Sequence, residues 1–115
     1  MRLNEIVFTD ARPVDGYGPG FFRIGGEVVE GPVAVLPSGV FRWDGYEDTA
    51  RFEGAEIDVL FVGTGAEIAF ADAAFREAVE ALGIGVETMA SPAACRTYNV
   101  LLSEGRRVGL ALFPV

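Results

Sequence analysis

The run Ile57-Asp-Val-Leu-Phe-Val62 restricts the fold more than any other stretch. One acid interrupts an otherwise apolar segment, so the alternation of a strand with one wet face is missing. Such a strand is covered on both faces, as in parallel sheets flanked by other layers. The residues that follow agree. Asp72–Leu82 reads as a helix, with Phe75, Val79 and Leu82 on one stripe, Arg76, Glu77 and Glu80 mostly off it, and Gly83 as its stop. Gly85–Met89 reads as a short strand, Pro92–Ser103 as a second helix and Val108–Phe113 as a last strand. Ser91 is expected to cap the second helix, Pro92 suits its first position, and Gly105 ends it. Two consecutive β-α-β units predict a parallel portion of sheet with right-handed crossovers.

The N-terminal half is patterned differently. Residues 1–20 are expected to be an irregular arm. Glu5–Thr9 offers a short strand, and Arg12–Gly20 is dense in turn formers. From Phe21 to Trp43, short apolar runs (Phe21–Ile24, Val28–Val29, Val33–Leu36, Val40–Trp43) alternate with glycine and proline. Gly25-Gly26 and Pro37-Ser38-Gly39 are suited to hairpin turns, which predicts an antiparallel meander. Residues 44–56 are acidic and read as surface connection with one helical turn at most. The expectation is one α/β domain over residues 1–115, in which an antiparallel β half precedes a β-α-β-α-β half and the sheet is mixed.

Charge and composition exclude several classes of function. The chain has 115 residues and a formal charge of −8, and all nine of its cations are arginine. An acidic chain lacks the footprint of a nucleic-acid binder and is repelled by anionic membranes. Its longest apolar runs, Val59–Val62 and Val108–Val115, fall well short of the ~20 residues that a membrane helix needs. Cys95 is the only cysteine, so no internal disulfide forms, and the N-terminal residues read as neither signal nor transit peptide. These features predict a cytoplasmic protein that is not inserted in a membrane.

Three groups of residues carry what chemistry the sequence offers. Gly63-Thr64-Gly65 ends a covered strand, where open α/β sheets place a ligand crevice, and Glu87 lies downstream as a ribose-binding acid would. Ile68 stands where a dinucleotide fingerprint needs its third glycine, and the helix begins only near Asp72, too late to aim its amides at a pyrophosphate. The bland reading is a tight structural turn. Cys95, in the first turn of a helix, is either a reactive thiol or a small buried side chain. With no histidine in the chain, Cys-His and Ser-His pairs are excluded, and ordinary zinc sites go with them.

Arg96, Asn99 and Arg106 form the third group, expected to converge near the carboxyl end of the Ile57–Val62 strand. They would be an internal network first, with Glu87 and Glu104 as partners, and a seat for a carboxylate or phosphate second. Asp44, Glu47 and Asp48 form a polar loop able to meet a hard cation, without EF-hand spacing. Phe21, Phe22, Trp43, Tyr46 and Phe52 are read as core, with an interface as the alternative. No catalytic residue, metal ligand set or cofactor is assigned.

Val62-Gly63-Thr64-Gly65, Gly83-Ile84-x-Val86-Glu87-x-Met89, Ala93–Leu101 and Glu104-Gly105-Arg106 together resemble one small family. It includes the mitochondrial complex I (NADH dehydrogenase) assembly factor 3, the adipogenesis-associated cytosolic protein, and short bacterial and archaeal members. Ile24-Gly25-Gly26, Gly31-Pro32-Val33 and Val40-x-x-Trp43 fit its N-terminal half more loosely. The resemblance implies a three-layer α/β fold with a mixed sheet, and no reaction, cofactor or catalytic residue. It points to a non-catalytic interaction protein whose partner belongs to a membrane or respiratory complex under assembly. The alternatives are a small-molecule-binding protein or enzyme using the crevice near Gly63, Thr64 and Gly65, and a redox protein working through Cys95.

Overall fold

Three antiparallel strands, β1 (Val14–Gly18), β2 (Phe21–Ile24) and β3 (Glu27–Glu30), form a small sheet in the order β1-β2-β3. The computed structural model describes residues 11–115, so the Glu5–Thr9 strand expected from the sequence lies outside the described residues. β1 corrects the reading of residues up to Gly20 as irregular. Its turn-forming composition misled because Val14 and Gly16 pair across an irregular register that absorbs the extra residue. Gly25 and Gly26 sit at φ +57° and +88° between paired Ile24 and Glu27. A two-residue hairpin turn needs positive φ at both central positions, which glycine takes without strain.

Five further strands make the main sheet: β4 (Val33–Leu36), β5 (Gly39–Arg42), β6 (Val59–Thr64), β7 (Gly85–Met89) and β8 (Val108–Phe113). Their order is β5-β4-β8-β6-β7. β4 is antiparallel to β5 and β8, while β6 is parallel to both β7 and β8, so the sheet is mixed as expected. β6 runs two residues later than the apolar pattern suggested. Asp58 stays outside the strand, its carboxylate exposed and paired with Arg107 at 3.5 Å, and the strand continues through Gly63 and Thr64 beside Leu112 and Phe113.

Two helices cover the sheet, α1 (Ala73–Glu80) and α2 (Ser91–Ser103). Alternation along each strand sorts the core into two halves. On one face Val33, Val35, Phe61, Leu110 and Leu112 pack with Ala94, Cys95 and Tyr98 of α2 and with Phe22 and Ile24 of the small sheet. On the other face Ala34, Leu36, Leu60, Val62 and Ala111 pack with Phe75 and Val79 of α1 and with Trp43 and Phe52. The result is three layers around a sheet covered on both sides, which explains the unbroken apolar run in β6.

Residues 44–56 are less superficial than their acidity suggests. Trp43 and Phe52 are buried, and the one helical turn is a 3-10 turn at Ala50–Phe52. Rings of Tyr46, Phe52, Phe75 and Phe113 lie 5.0 to 6.1 Å from the Trp43 ring. Trp43 Nε1 donates to the Asp48 carbonyl at 3.2 Å, so its one polar group is satisfied. Leu82, expected on the buried stripe of α1, is exposed. The helix closes at Glu80, and the amides of Leu82 and Gly83 bond three residues back, which turns Leu82 off the stripe.

No helix among the described residues is long and apolar enough to cross a membrane.

Candidate functional site

Gly63, Thr64 and Gly65 end β6 where α2 begins, and the contact there is very close. A Cβ on Gly63 would lie 2.6 Å from Leu112 Cδ2, 2.7 Å from Ser91 Oγ and 2.8 Å from Ser91 Cα. Only a residue without a side chain lets the first turn of α2 approach the strand so nearly. The Ser91 hydroxyl does not cap its helix as expected. Ala90 takes the cap position without a side-chain bond. Ser91, fully buried, accepts from the Gly65 amide at 2.9 Å and donates to the Phe113 carbonyl at 2.6 Å. Its own amide donates to the Gly65 carbonyl at 2.8 Å. One serine thus ties the ends of β6, β8 and α2 together, because a buried hydroxyl must find partners and the carboxyl ends of two strands supply them.

Thr64 is engaged in the same way. Its hydroxyl accepts from the Ala69 amide at 3.0 Å and lies 2.8 Å from the Glu67 carbonyl and 3.3 Å from the Met89 carbonyl. It folds residues 65–71 back over the end of β6. Asp72 then caps α1 by accepting from the Phe75 amide at 3.0 Å, so the helix starts as late as the sequence implied. Glu87 is exposed on β7.

Arg96, Asn99 and Arg106 do not converge. Asn99 faces the small sheet, where Oδ1 accepts from the Val14 amide at 2.9 Å and Nδ2 donates to the Val14 carbonyl at 2.8 Å. Arg96 is exposed in the second turn of α2. Arg106 is exposed beyond its C-terminal end, where it borders a separate surface cleft with Arg107 and Glu56. At 1.5 Å per residue the helix alone puts about 10 Å between them. Neither guanidinium pairs with Glu87 or Glu104 among the described residues, where acid–base pairs include Arg51–Asp48, Arg76–Glu80 and Arg107–Asp58. Three-residue spacing placed Arg96 and Asn99 on one face, but the short asparagine turns inward while the longer arginine reaches water. Gly105 ends α2 as expected: at φ +81° it lets its own amide bond the Leu102 carbonyl and the Arg106 amide bond the Leu101 carbonyl.

Cys95 is buried between α2 and the sheet. Burial pushes its thiol up from 9.0 to about 12, with the Arg96 guanidinium pulling more weakly the other way. A thiol so placed stays protonated at neutral pH and is a poor nucleophile. Tyr98 is raised by burial as well, and its hydroxyl donates to the Arg12 carbonyl at 2.8 Å. Among the described residues no group of three or more acidic or cysteine side chains is gathered to hold a metal. In the acidic loop, the Asp48 carboxylate accepts from the Asp44 amide and pairs with Arg51.

The residues that sequence reading missed are Ile68 and Phe70. They lie in the loop that Thr64 organises, 68% and 99% exposed, and with Ala69 and Thr88 they line an open cleft at the edge of the sheet. The available signal was an Ile-Ala-Phe run placed between a strand end and a helix cap, where a polar loop is the norm.

A protein-family model described as a protein of unknown function, DUF498/DUF598, matches residues 14–113. The chain belongs to the DUF498/DUF598 family. An uncharacterised protein of Rhodobacter capsulatus is 46% identical over 117 residues, covering all of this chain and 94% of that protein. Human NADH dehydrogenase (ubiquinone) 1 alpha subcomplex assembly factor 3 is 34% identical over 123 residues, covering 99% of this chain and 67% of the human protein. Against the zebrafish assembly factor the chain covers 62% of the relative's length. Two solved structures share the fold. A Bartonella henselae chain described as an outer membrane protein matches with a TM-score of 0.82 at 36% identity, over 92% of this chain and 97% of that one. A Bordetella pertussis protein described as an Mth938-like domain matches with a TM-score of 0.72 at 28% identity, over 90% and 85%. The resemblance read from the C-terminal motifs is therefore shown, and Gly63, Gly65 and Ser91 of those motifs and their flank lock α2 to the sheet.

Proposed function

We propose that this protein is a cytoplasmic, non-catalytic interaction module that assists assembly of a respiratory membrane complex. The observation that carries this reading is the filled crevice. At the carboxyl end of β6, where an α/β enzyme would hold a substrate, Ser91 occupies the niche left by Gly63 and spends its hydroxyl on Gly65 and Phe113. The Thr64 hydroxyl is spent on the loop that follows. Asn99 is spent on Val14. These polar groups are engaged in holding the fold, and the exposed Arg96 and Arg106 lie apart from them and from each other, which speaks against the alternative reading of a ligand site at Gly63, Thr64, Gly65, Arg96, Asn99 and Arg106. The names of the vertebrate relatives supply the process, and this chain covers about two thirds of the human one.

The test is complementation. In Rhodobacter capsulatus lacking its relative of this chain, membranes are expected to contain less assembled NADH dehydrogenase, seen by native electrophoresis with in-gel activity. Expression of this chain is expected to restore it. A deletion strain with normal amounts of assembled enzyme defeats the proposal.

A further inference from the structure

β7 is the terminal strand of the main sheet: one of its long sides pairs with β6, and among the described residues no strand pairs with the other. In a parallel ladder the main-chain groups of successive residues point alternately to the two sides. Gly85 donates its amide to the Asp58 carbonyl, toward β6. Val86 and Thr88 therefore turn their N–H and C=O outward. Arg76 reaches over from α1 and donates to the Val86 carbonyl at 3.0 Å. A charged side chain laid on an edge is one way in which native sheets avoid unwanted pairing. Thr88 has no such guard among the described residues. Beside it lies the cleft of about 220 Å³ that Thr88 shares with Ile68, Ala69 and Phe70. That is below the usual ~300–1,000 Å³ of a small-molecule site, and it suits one large apolar side chain.

We propose that the unguarded end of the β7 edge takes an extended segment of a partner protein as an added strand, with an apolar side chain seated against Ile68 and Phe70 and basic residues flanking it. This deepens the interaction-module reading and rests on it. Strand addition draws affinity from main-chain bonds and specificity from pockets for alternate side chains, and both parts are present here. Charge selects the occupant. Glu67, next to Ile68 in the loop, and Glu87 on β7 are exposed, in a chain of net charge −8. A second copy added edge to edge would join two strongly acidic chains, whereas a basic segment meets complementary charge.

The probe is a fluorescein-labelled peptide of about eight residues alternating Val and Arg, a typical strand length. Binding is followed by polarisation and by amide NMR shifts. It is expected to bind, to shift the Thr88 and Phe70 amides, and to bind at least about tenfold more weakly to Phe70→Ser. Thr88→Pro is the second variant. Of the main-chain groups it removes only an outward amide, so the ladder to β6 survives, a dispersed amide spectrum checks the fold, and binding is expected to fall by a similar factor. A matching Val–Glu peptide is expected to bind at least about tenfold more weakly than the Val–Arg one. Absence of binding, equal binding by either variant or by the Val–Glu peptide, or a dimer formed through β7 in sedimentation overturns the proposal. The complementation assay separates the two readings. If the variants lose the peptide yet restore NADH dehydrogenase, the edge is irrelevant and the assembly role stands. If the peptide binds as described while the unaltered chain restores nothing, the assembly role falls and the edge stands.

Discussion

Asn99 holds Val14 by both of its main-chain groups, the side-chain amide standing where a neighbouring strand would be. Among the described residues β1 otherwise pairs with β2 alone, so this contact helps dock the small sheet onto α2. Asn99→Ala leaves a donor and an acceptor of Val14 without protein partners, and should lower stability by ~1–3 kcal/mol. Asn99→Asp should cost at least as much, because it sets a second oxygen against the Val14 carbonyl. Urea unfolding of the two variants checks this, and a wild-type midpoint for Asn99→Ala would contradict it.

Gly63→Ala is expected to be costly despite adding one methyl group. Two of its nearest neighbours would be flexible or small atoms, but the Ser91 Cα at 2.8 Å is backbone and cannot step aside alone. Moving the start of α2 weakens the bonds between Ser91 and Gly65. The expected loss is ~1–3 kcal/mol, in the range of overpacked cores, and it is readable as a lower thermal midpoint.

Burial of Cys95 makes stability fall in alkali. Below its ordinary value of 9.0 the thiol is protonated in both folded and unfolded chains, so its contribution is fully present there. Between 9.0 and about 12 the unfolded chain loses the proton while the folded one keeps it, so stability declines as pH rises. Tyr98, also raised by burial, acts in the same direction above 10.0. Thermal midpoints measured upward from pH 9 should fall, with a shallower slope in Cys95→Ala. At neutral pH a thiol reagent should label the folded chain far more slowly than the urea-unfolded one; equal rates would show that the thiol is not packed away.

Arg96→Ala and Arg106→Ala should each change stability by less than ~0.5 kcal/mol, as expected for exposed positions without a partner side chain among the described residues. A loss above ~1 kcal/mol for either in urea unfolding would restore the internal network that the sequence suggested.

The strand and helix pattern after Ile57 was legible because periodicity reports burial, and burial is what decides those elements. The hairpins at Gly25-Gly26 and Pro37–Gly39 were legible for a related reason: turn chemistry is local. β1 was hidden because its anchor, Asn99, stands 85 residues away in sequence, and local composition argues only for turns. Ser91 shows the same limit at the site. A serine before proline has a local use as a helix cap, but a carbonyl from Phe113 and an amide from Gly65 compete for its hydroxyl, and both arrive through tertiary contact. The arginines misled because spacing fixes a helix face but not whether a long side chain turns toward the core or away from it.

The place of β8 bears on the order in which the molecule can assemble. It lies between β4 and β6, antiparallel to one and parallel to the other, and its side chains enter both halves of the core. It is also the last of these eight strands to leave a ribosome. Until residues 108–113 emerge, the β4–β5 hairpin and the β6-α1-β7 unit have no shared neighbour, and each keeps a central edge exposed. The growing chain can prepare two half-sheets, but only the arrival of its late strand turns them into one protein.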